Sequence, residues 1–188
     1  MTDTLVIQYS TSTAWQSEII RRLTHSKFSH VDIVLEGEGL LGVSGPAKYD
    51  TYDDPGGVRV RPFGCWPYLA PPQTVRIKTD KAQAVIDAGK SQMGKPFDNG
   101  ALWGFLDDLA HGNTLPGVVE HMLPAREASR NWQDESQWFC SEWGIWSCKQ
   151  GGLFPWPLIS AKNRISPGDS LLLLNPLMTA ENIAEFHI

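Results

Sequence analysis

The side chains best suited to nucleophilic or proton-transfer chemistry are three cysteines and five histidines. Cys140 is followed by Ser141-Glu142 and opens a stretch that reads as a helix to about Gln150, stopped by Gly151-Gly152. A cysteine there lies beside unpaired backbone N–H groups and the positive end of the helix dipole. Both favour a thiolate, and the same donors can receive an oxyanion. The plainer alternative is a small buried apolar residue. That reading suits Cys148, two turns on along the same face, and Cys65 near Pro67 reads as structural. An odd count leaves at least one thiol unpaired, and no CxxC spacing points to structural zinc or a disulfide framework.

Among His25, His30, His111, His121 and His187, only His30 begins an alternating strand. In His30–Glu36, Val31, Ile33 and Leu35 share one face, and His30, Asp32, Val34 and Glu36 share the other. A strand-borne histidine beside a helix-N-terminal cysteine is a base and nucleophile pair recognised by geometry rather than chain position. A metal site from His30, Asp32 and Cys140 has no spaced ligand motif behind it. No metal or cofactor is expected.

The elements that would position this pair follow from periodicity. Leu5–Ile7 reads as a strand leading to Tyr9, and a helix is expected from about Ala14 to Thr24, with Thr13 and Gln16 at capping-box spacing. Glu36-Gly37-Glu38-Gly39 reads as a hairpin turn into Leu40–Val43, so these strands should pair antiparallel. Val58–Pro62 and Thr74–Lys78 are further short strands. Asp80 and Gln83 suit a helix start, with Ala82, Val85, Ile86, Gly89 and Met93 facing inward and Gly94-Lys95-Pro96 as the stop. Ala101, Leu102, Phe105, Leu106 and Leu109 suggest another helix, and Leu171–Leu174 reads as a buried strand. From His111 to Gln137 the chain turns polar and irregular, as a surface insertion or a lid over a site. The expected class is α+β in one domain spanning 1–188, with an inserted helical or loop segment at about 99–137.

Composition narrows the function. The chain has 188 residues, 41% hydrophobic and 20% charged, with a net charge of −5. That suffices for a packed core, and it provides no basic stripe for nucleic acid. No apolar run approaches the ~20 residues of a membrane span, so no stable membrane insertion is expected. The start, Met1-Thr2-Asp3-Thr4, lacks a Sec-type signal. A cytoplasmic location, or delivery by a signal-independent route, is expected. Of eight tryptophans, Trp132, Trp138, Trp143 and Trp146 surround Cys140 in sequence. Trp143 and Trp146, at helical spacing, read as core; Trp132 and Trp138 precede the helix and are the candidate cleft walls.

Several segments together resemble one family in order. Ser29-His30-Val31 is similar to an S-H-x-G strand, Ser44–Tyr49 to a G-P-x-K-Y element, Gly94–Asp98 to a G-K-P-Y-D turn, Phe139–Glu142 to Y-C-S-E, and Ile165–Asp169 to I-S-P-x-D. Thr4–Gln8, Gln16–Thr24 and Gly57–Val60 fit the intervening elements. The set resembles the circularly permuted NlpC-like cysteine peptidases, the YiiX-type branch, in which histidine precedes cysteine. It spans nearly the whole chain outside 99–137. The resemblance implies a papain-like NlpC-type fold, an antiparallel sheet packed against a Cys-headed helix, with Cys140 and His30 catalytic.

Two positions depart from the pattern. Gly42 stands where the family often carries an acidic third member, and Phe97 replaces a tyrosine. Asp32 and Ser44 are the possible base orienters, a dyad without one being the alternative, and Tyr9 could supply the missing cleft hydroxyl. The implied activity is cleavage of an amide, such as a cell-wall peptide, through an acyl-Cys140 intermediate. The rival readings are a lipid thioesterase or acyltransferase on the same fold, or a binding module that lost catalysis. A peptide or acyl substrate is the expected partner. The sequence leaves the oligomeric state open.

Overall fold

The computed structural model describes residues 4–48, 52–99, 136–154 and 165–178. The predicted helix at Ala101–Leu109, the insertion from 100 to 135, Trp132, His111 and His121 lie outside the described residues.

Alternating sequence builds the sheet. Strands β1 (Thr4–Ser10), β2 (His30–Leu35), β3 (Gly39–Ser44), β6 (Gly57–Arg61) and β7 (Gln73–Lys78) form one sheet in the order β6-β3-β2-β1-β7. Every pairing is antiparallel. A small ribbon, β4 (Ala47–Lys48) with β5 (Asp53–Asp54), stands apart. The expected hairpin joins β2 to β3, with Gly37 at φ 75° and Glu38 N–H donating to Leu35 O at 3.0 Å. The positive φ is the reason a glycine serves there.

Period-two alternation gives the sheet two chemically different faces. Leu5, Ile7, Tyr9, Val31, Ile33, Leu35, Leu41, Val43, Val58, Val75 and Ile77 belong to a core completed by the helices. The helices are α1 (Trp15–Thr24), α2 (Ala82–Lys90), α3 (Cys140–Gln150) and α4 (Pro167–Leu174), the last followed by a 3-10 turn at Asn175–Leu177. Helix α3 packs on β2, β3, α2 and α4. This is an α+β arrangement with an antiparallel sheet. The other face carries Gln8, Ser10, His30, Asp32, Gly42, Ser44, Arg59 and Arg61. Residues 62–72 fold over part of it: Gln8 Nε2 donates to Tyr68 Oη at 3.0 Å, and Leu69 N–H donates to Thr11 O at 2.9 Å.

Three expectations are corrected. Leu171–Leu174 ends helix α4 rather than forming a strand. A Ser166/Asp169 capping box with Pro167 in the first turn starts that helix, and leucines three apart, Leu171 and Leu174, turn inward while Leu172 is 56% exposed. Met93 is 52% exposed, because α2 ends at Lys90 before the inward stripe reaches it. The other two capping boxes do not form. Ala14 and Lys81 are the N-caps, neither helix has a side-chain cap, and Thr79 Oγ1 accepts from Lys81 N–H at 3.1 Å.

Candidate functional site

The first residue of α3 and the first residue of β2 meet beside a cleft. Cys140 is 1% exposed at the start of its helix, behind Phe139 in an extended conformation. Its Sγ donates to Ser29 O at 3.8 Å, and the thiol lies near enough to the His30 imidazole to help raise its pKa. Packing of α3 on β2 and β3 fixes this approach across 110 positions of sequence.

The imidazole is held on its far side. His30 Nε2 donates to Asp32 Oδ1 at 2.9 Å, the carboxylate being fully buried. Since a carboxylate only accepts, this bond fixes the proton on Nε2 and leaves Nδ1 for the thiol. Burial by itself pulls the His30 pKa down. The charge of Asp32 and its hydrogen bond outweigh that, Cys140 adds to the rise, and the result is pushed up to about 10. Asp32 Oδ2 has no hydrogen-bond partner among the described residues, so the carboxylate is committed to the imidazole.

Asp32 can lie there because its cross-strand partner has no side chain. Asp32 pairs with Gly42 in the β2–β3 ladder, and a Cβ at 42 would land on the Asp32 carboxylate. Gly42, where the resemblance expects an acid, is thus the space that an acid from the neighbouring strand fills.

Ser44, the other possible orienter, turns elsewhere. Its Oγ donates to Asp54 Oδ2 at 3.0 Å, not to the imidazole. Asp54 and Arg61 form a buried ion pair, Nε to Oδ2 at 2.5 Å. All five Arg61 donors are used: Nη1 reaches Gly42 O at 2.9 Å and Arg59 O at 3.4 Å, and Nη2 reaches Gly57 O at 2.7 Å and Asp54 Oδ1 at 3.4 Å. A guanidinium is tolerated in the interior only with such complete pairing. Sequence reasoning missed this pair. The alternation of Gly57, Arg59 and Arg61 along β6 was the available signal.

Tyr9 and Trp138 do not line the cleft. Tyr9 is fully buried, its hydroxyl bonded to Ser170 Oγ at 3.2 Å, and burial raises its pKa strongly. Trp138 is 3% exposed and packs on Trp146 with ring centroids 5.2 Å apart. Trp143 is fully buried in the core. The tryptophan at the cleft is Trp66, whose ring lies 4.9 Å from that of His30 and 5.6 Å from the Arg61 guanidinium carbon. Nothing in the periodicity marked it, since it sits in an irregular loop. Burial pushes the Cys65 thiol up to about 11, with the charge of Asp32 adding, and pushes Cys148 up to about 12. Both are poor nucleophiles near neutrality.

The cleft measures about 280 Å³. Its α1 side is formed by Ser10, Ser12, Ala14, Gln16 and Ser17, and its other side by Pro46, Phe97 and Phe139, with Cys140, His30 and Trp66 between. Phe97 thus lies at the cleft but brings no hydroxyl. Among the described residues, no group of three or more His, Cys, Asp or Glu side chains converges to hold a metal ion. None of the described helices is long and apolar enough to cross a membrane. No protein-family model and no curated protein matches the chain.

Proposed function

We propose that this protein is a cysteine hydrolase that cleaves an amide through a covalent acyl-Cys140 intermediate, on a permuted papain-like, NlpC-type fold. One observation carries the reading: a part-buried imidazole, bonded to a buried carboxylate, lines the same cleft as a helix-N-terminal thiol that adds to its raised pKa. Cys140 Sγ attacks the carbonyl carbon while its proton rests on His30 Nδ1. The backbone N–H groups at the start of α3 receive the oxyanion. Collapse breaks the C–N bond as His30 gives its proton to the departing amine. Water then attacks the thioester, His30 takes its proton, and the Cys140 thiol re-forms as the acid leaves. Asp32 is a positioning residue that fixes the tautomer and stabilises the imidazolium.

A glycine at 42 leaves the family's acidic position empty, which favours a binding module without catalysis; the Asp32 carboxylate in that space supports catalysis instead.

The test is alkylation by iodoacetamide at pH 7, followed by peptide mapping. Cys140 should react at least about a hundredfold faster than Cys65 or Cys148, and His30→Ala should remove most of that advantage. Equal labelling of the three thiols would overturn the assignment.

A further inference from the structure

Ser44 lines the cleft with its own proton already committed to the protein. It is a buried residue at the cleft wall, and its Oγ donates to Asp54 Oδ2 at 3.0 Å. The direction of that bond is fixed, because the oxygens of an ionised carboxylate only accept. Oδ2 also receives Arg61 Nε at 2.5 Å, and Oδ1 receives Gly56 N–H at 2.8 Å and Arg61 Nη2 at 3.4 Å. A carboxylate paired with a guanidinium and holding two further donors has no proton to return. Ser44 Oγ therefore keeps its lone pairs, and no donor among the described residues reaches them.

Strand register puts this acceptor beside the base. His30 is the first residue of β2, and Ser44 is the last of β3. The antiparallel ladder pairs Asp32 with Gly42, so the same register, two residues further on, sets Ser44 across from His30. Residues opposite one another in this way point to one face, with Cβ atoms ~4.5–5.5 Å apart. Both line the cleft that also holds Cys140. The imidazole that hands a proton to the departing nitrogen thus has an oxygen acceptor as its neighbour.

We infer that Ser44 is a specificity-determining residue, whose Oγ accepts from the N–H of the scissile amide and so selects amides over esters. The inference deepens the proposed hydrolase reading and rests on it. With its N–H turned to Ser44, the amide nitrogen can turn its lone pair to His30 Nδ1. As the C–N bond breaks, that lone pair takes the imidazole proton, while the hydrogen held by Ser44 stays on nitrogen. The oxygen of an ester in the same place sets lone pairs against lone pairs and leaves the Ser44 acceptor unpaired. A tertiary amide, such as the bond before a proline, has no N–H and is disfavoured on the same ground.

Two isosteric reagents test this in the full chain, N-methyl iodoacetamide and methyl iodoacetate. Both are uncharged and alkylate thiols by displacing iodide, and they differ in N–H against O beside the carbonyl. The readout is the amide-to-ester rate ratio at Cys140, divided by the same ratio for glutathione, which cancels the reagents' own reactivities. In the wild-type protein this normalised ratio should favour the amide about tenfold, and in Ser44→Ala it should fall to within about twofold of one. Ser44→Thr keeps an Oγ and should keep most of the preference. Asp54 retains Arg61 and Gly56 as donors in Ser44→Ala, so the fold should hold, and the wild-type ratio tests the claim without any variant. A wild-type ratio near one, or a preference unchanged in Ser44→Ala, with Cys140 still labelled selectively, would overturn the role of Ser44 alone. Loss of selective labelling in the wild-type protein would overturn the hydrolase reading and this role with it.

Discussion

The carboxylate of Asp32 occupies the space that a side chain at Gly42 would need. Oδ1, the atom that accepts from His30 Nε2, is far inside contact distance of an ideal Cβ at 42, and the carboxyl carbon is 3.0 Å from it. The glycine and the acid are cross-strand partners, so neither position can change alone without disturbing the imidazole.

Gly42→Ala should therefore act on chemistry through His30. The added methyl pushes Oδ1 off Nε2, and the iodoacetamide rate at Cys140 should drop by up to about a hundredfold, the scale set by an ångström of misplacement. The His30 pKa, followed by NMR of the ring protons, should fall from its raised value in the same variant. A wild-type rate with an unchanged His30 titration would show that the glycine is incidental.

The raised His30 pKa has a consequence for stability. The folded state favours the imidazolium, so its contribution is complete below the ordinary value of 6.5 and is lost as pH rises through about 10. Urea midpoints measured from pH 6 to 10 should decline across that window on this account. Asp32→Asn removes the charge that outweighs desolvation, so its midpoints should be lower at pH 6 and flatter above it. Parallel curves for the two proteins would rule out Asp32 as the cause.

Arg61, paired with Asp54, holds the strand that carries Gly42 through Nη1 to Gly42 O at 2.9 Å. Arg61→Met leaves the Asp54 carboxylate buried without its cation, which should cost about 3–5 kcal/mol in chemical denaturation. Adding Asp54→Asn should recover part of that loss, because the uncompensated charge is then gone. A double variant as unstable as the sum of the singles would mean that the pair is not the unit of stability.

The seat of the Cys140 helix depends on close backbone approach. A Cβ at Gly151, just past α3, would lie 2.5 Å from the backbone nitrogen and a side-chain methyl of Val85 in α2. Its φ of −72° suits any residue, so the constraint is packing alone. Gly151→Ala should destabilise by about 1–3 kcal/mol, read from urea midpoints. A neutral outcome would mean that α2 and α3 slide apart freely.

Local pattern was enough for the five strands of the main sheet and for the helix that Cys140 opens. Alternation in His30–Glu36 is enough to put Val31, Ile33 and Leu35 on the core face, and Asp32 beside His30 on the other. Periodicity failed at Leu171–Leu174, since four leucines carry no period and the Ser166–Asp169 cap decided the matter. It failed also at Tyr9 and Trp138. A polar tip on an aromatic ring does not reveal whether it will meet a cleft or a buried serine.

What the sequence determined by itself is the pair of element starts that bear a thiol and an imidazole. Which carboxylate meets the imidazole, which tryptophan lies against it, and where the serines point were decided by strand register and by the 62–72 loop crossing the sheet. Those contacts join residues far apart in the chain. Their geometry is set by packing the whole sheet against α3, and no local window of sequence contains it.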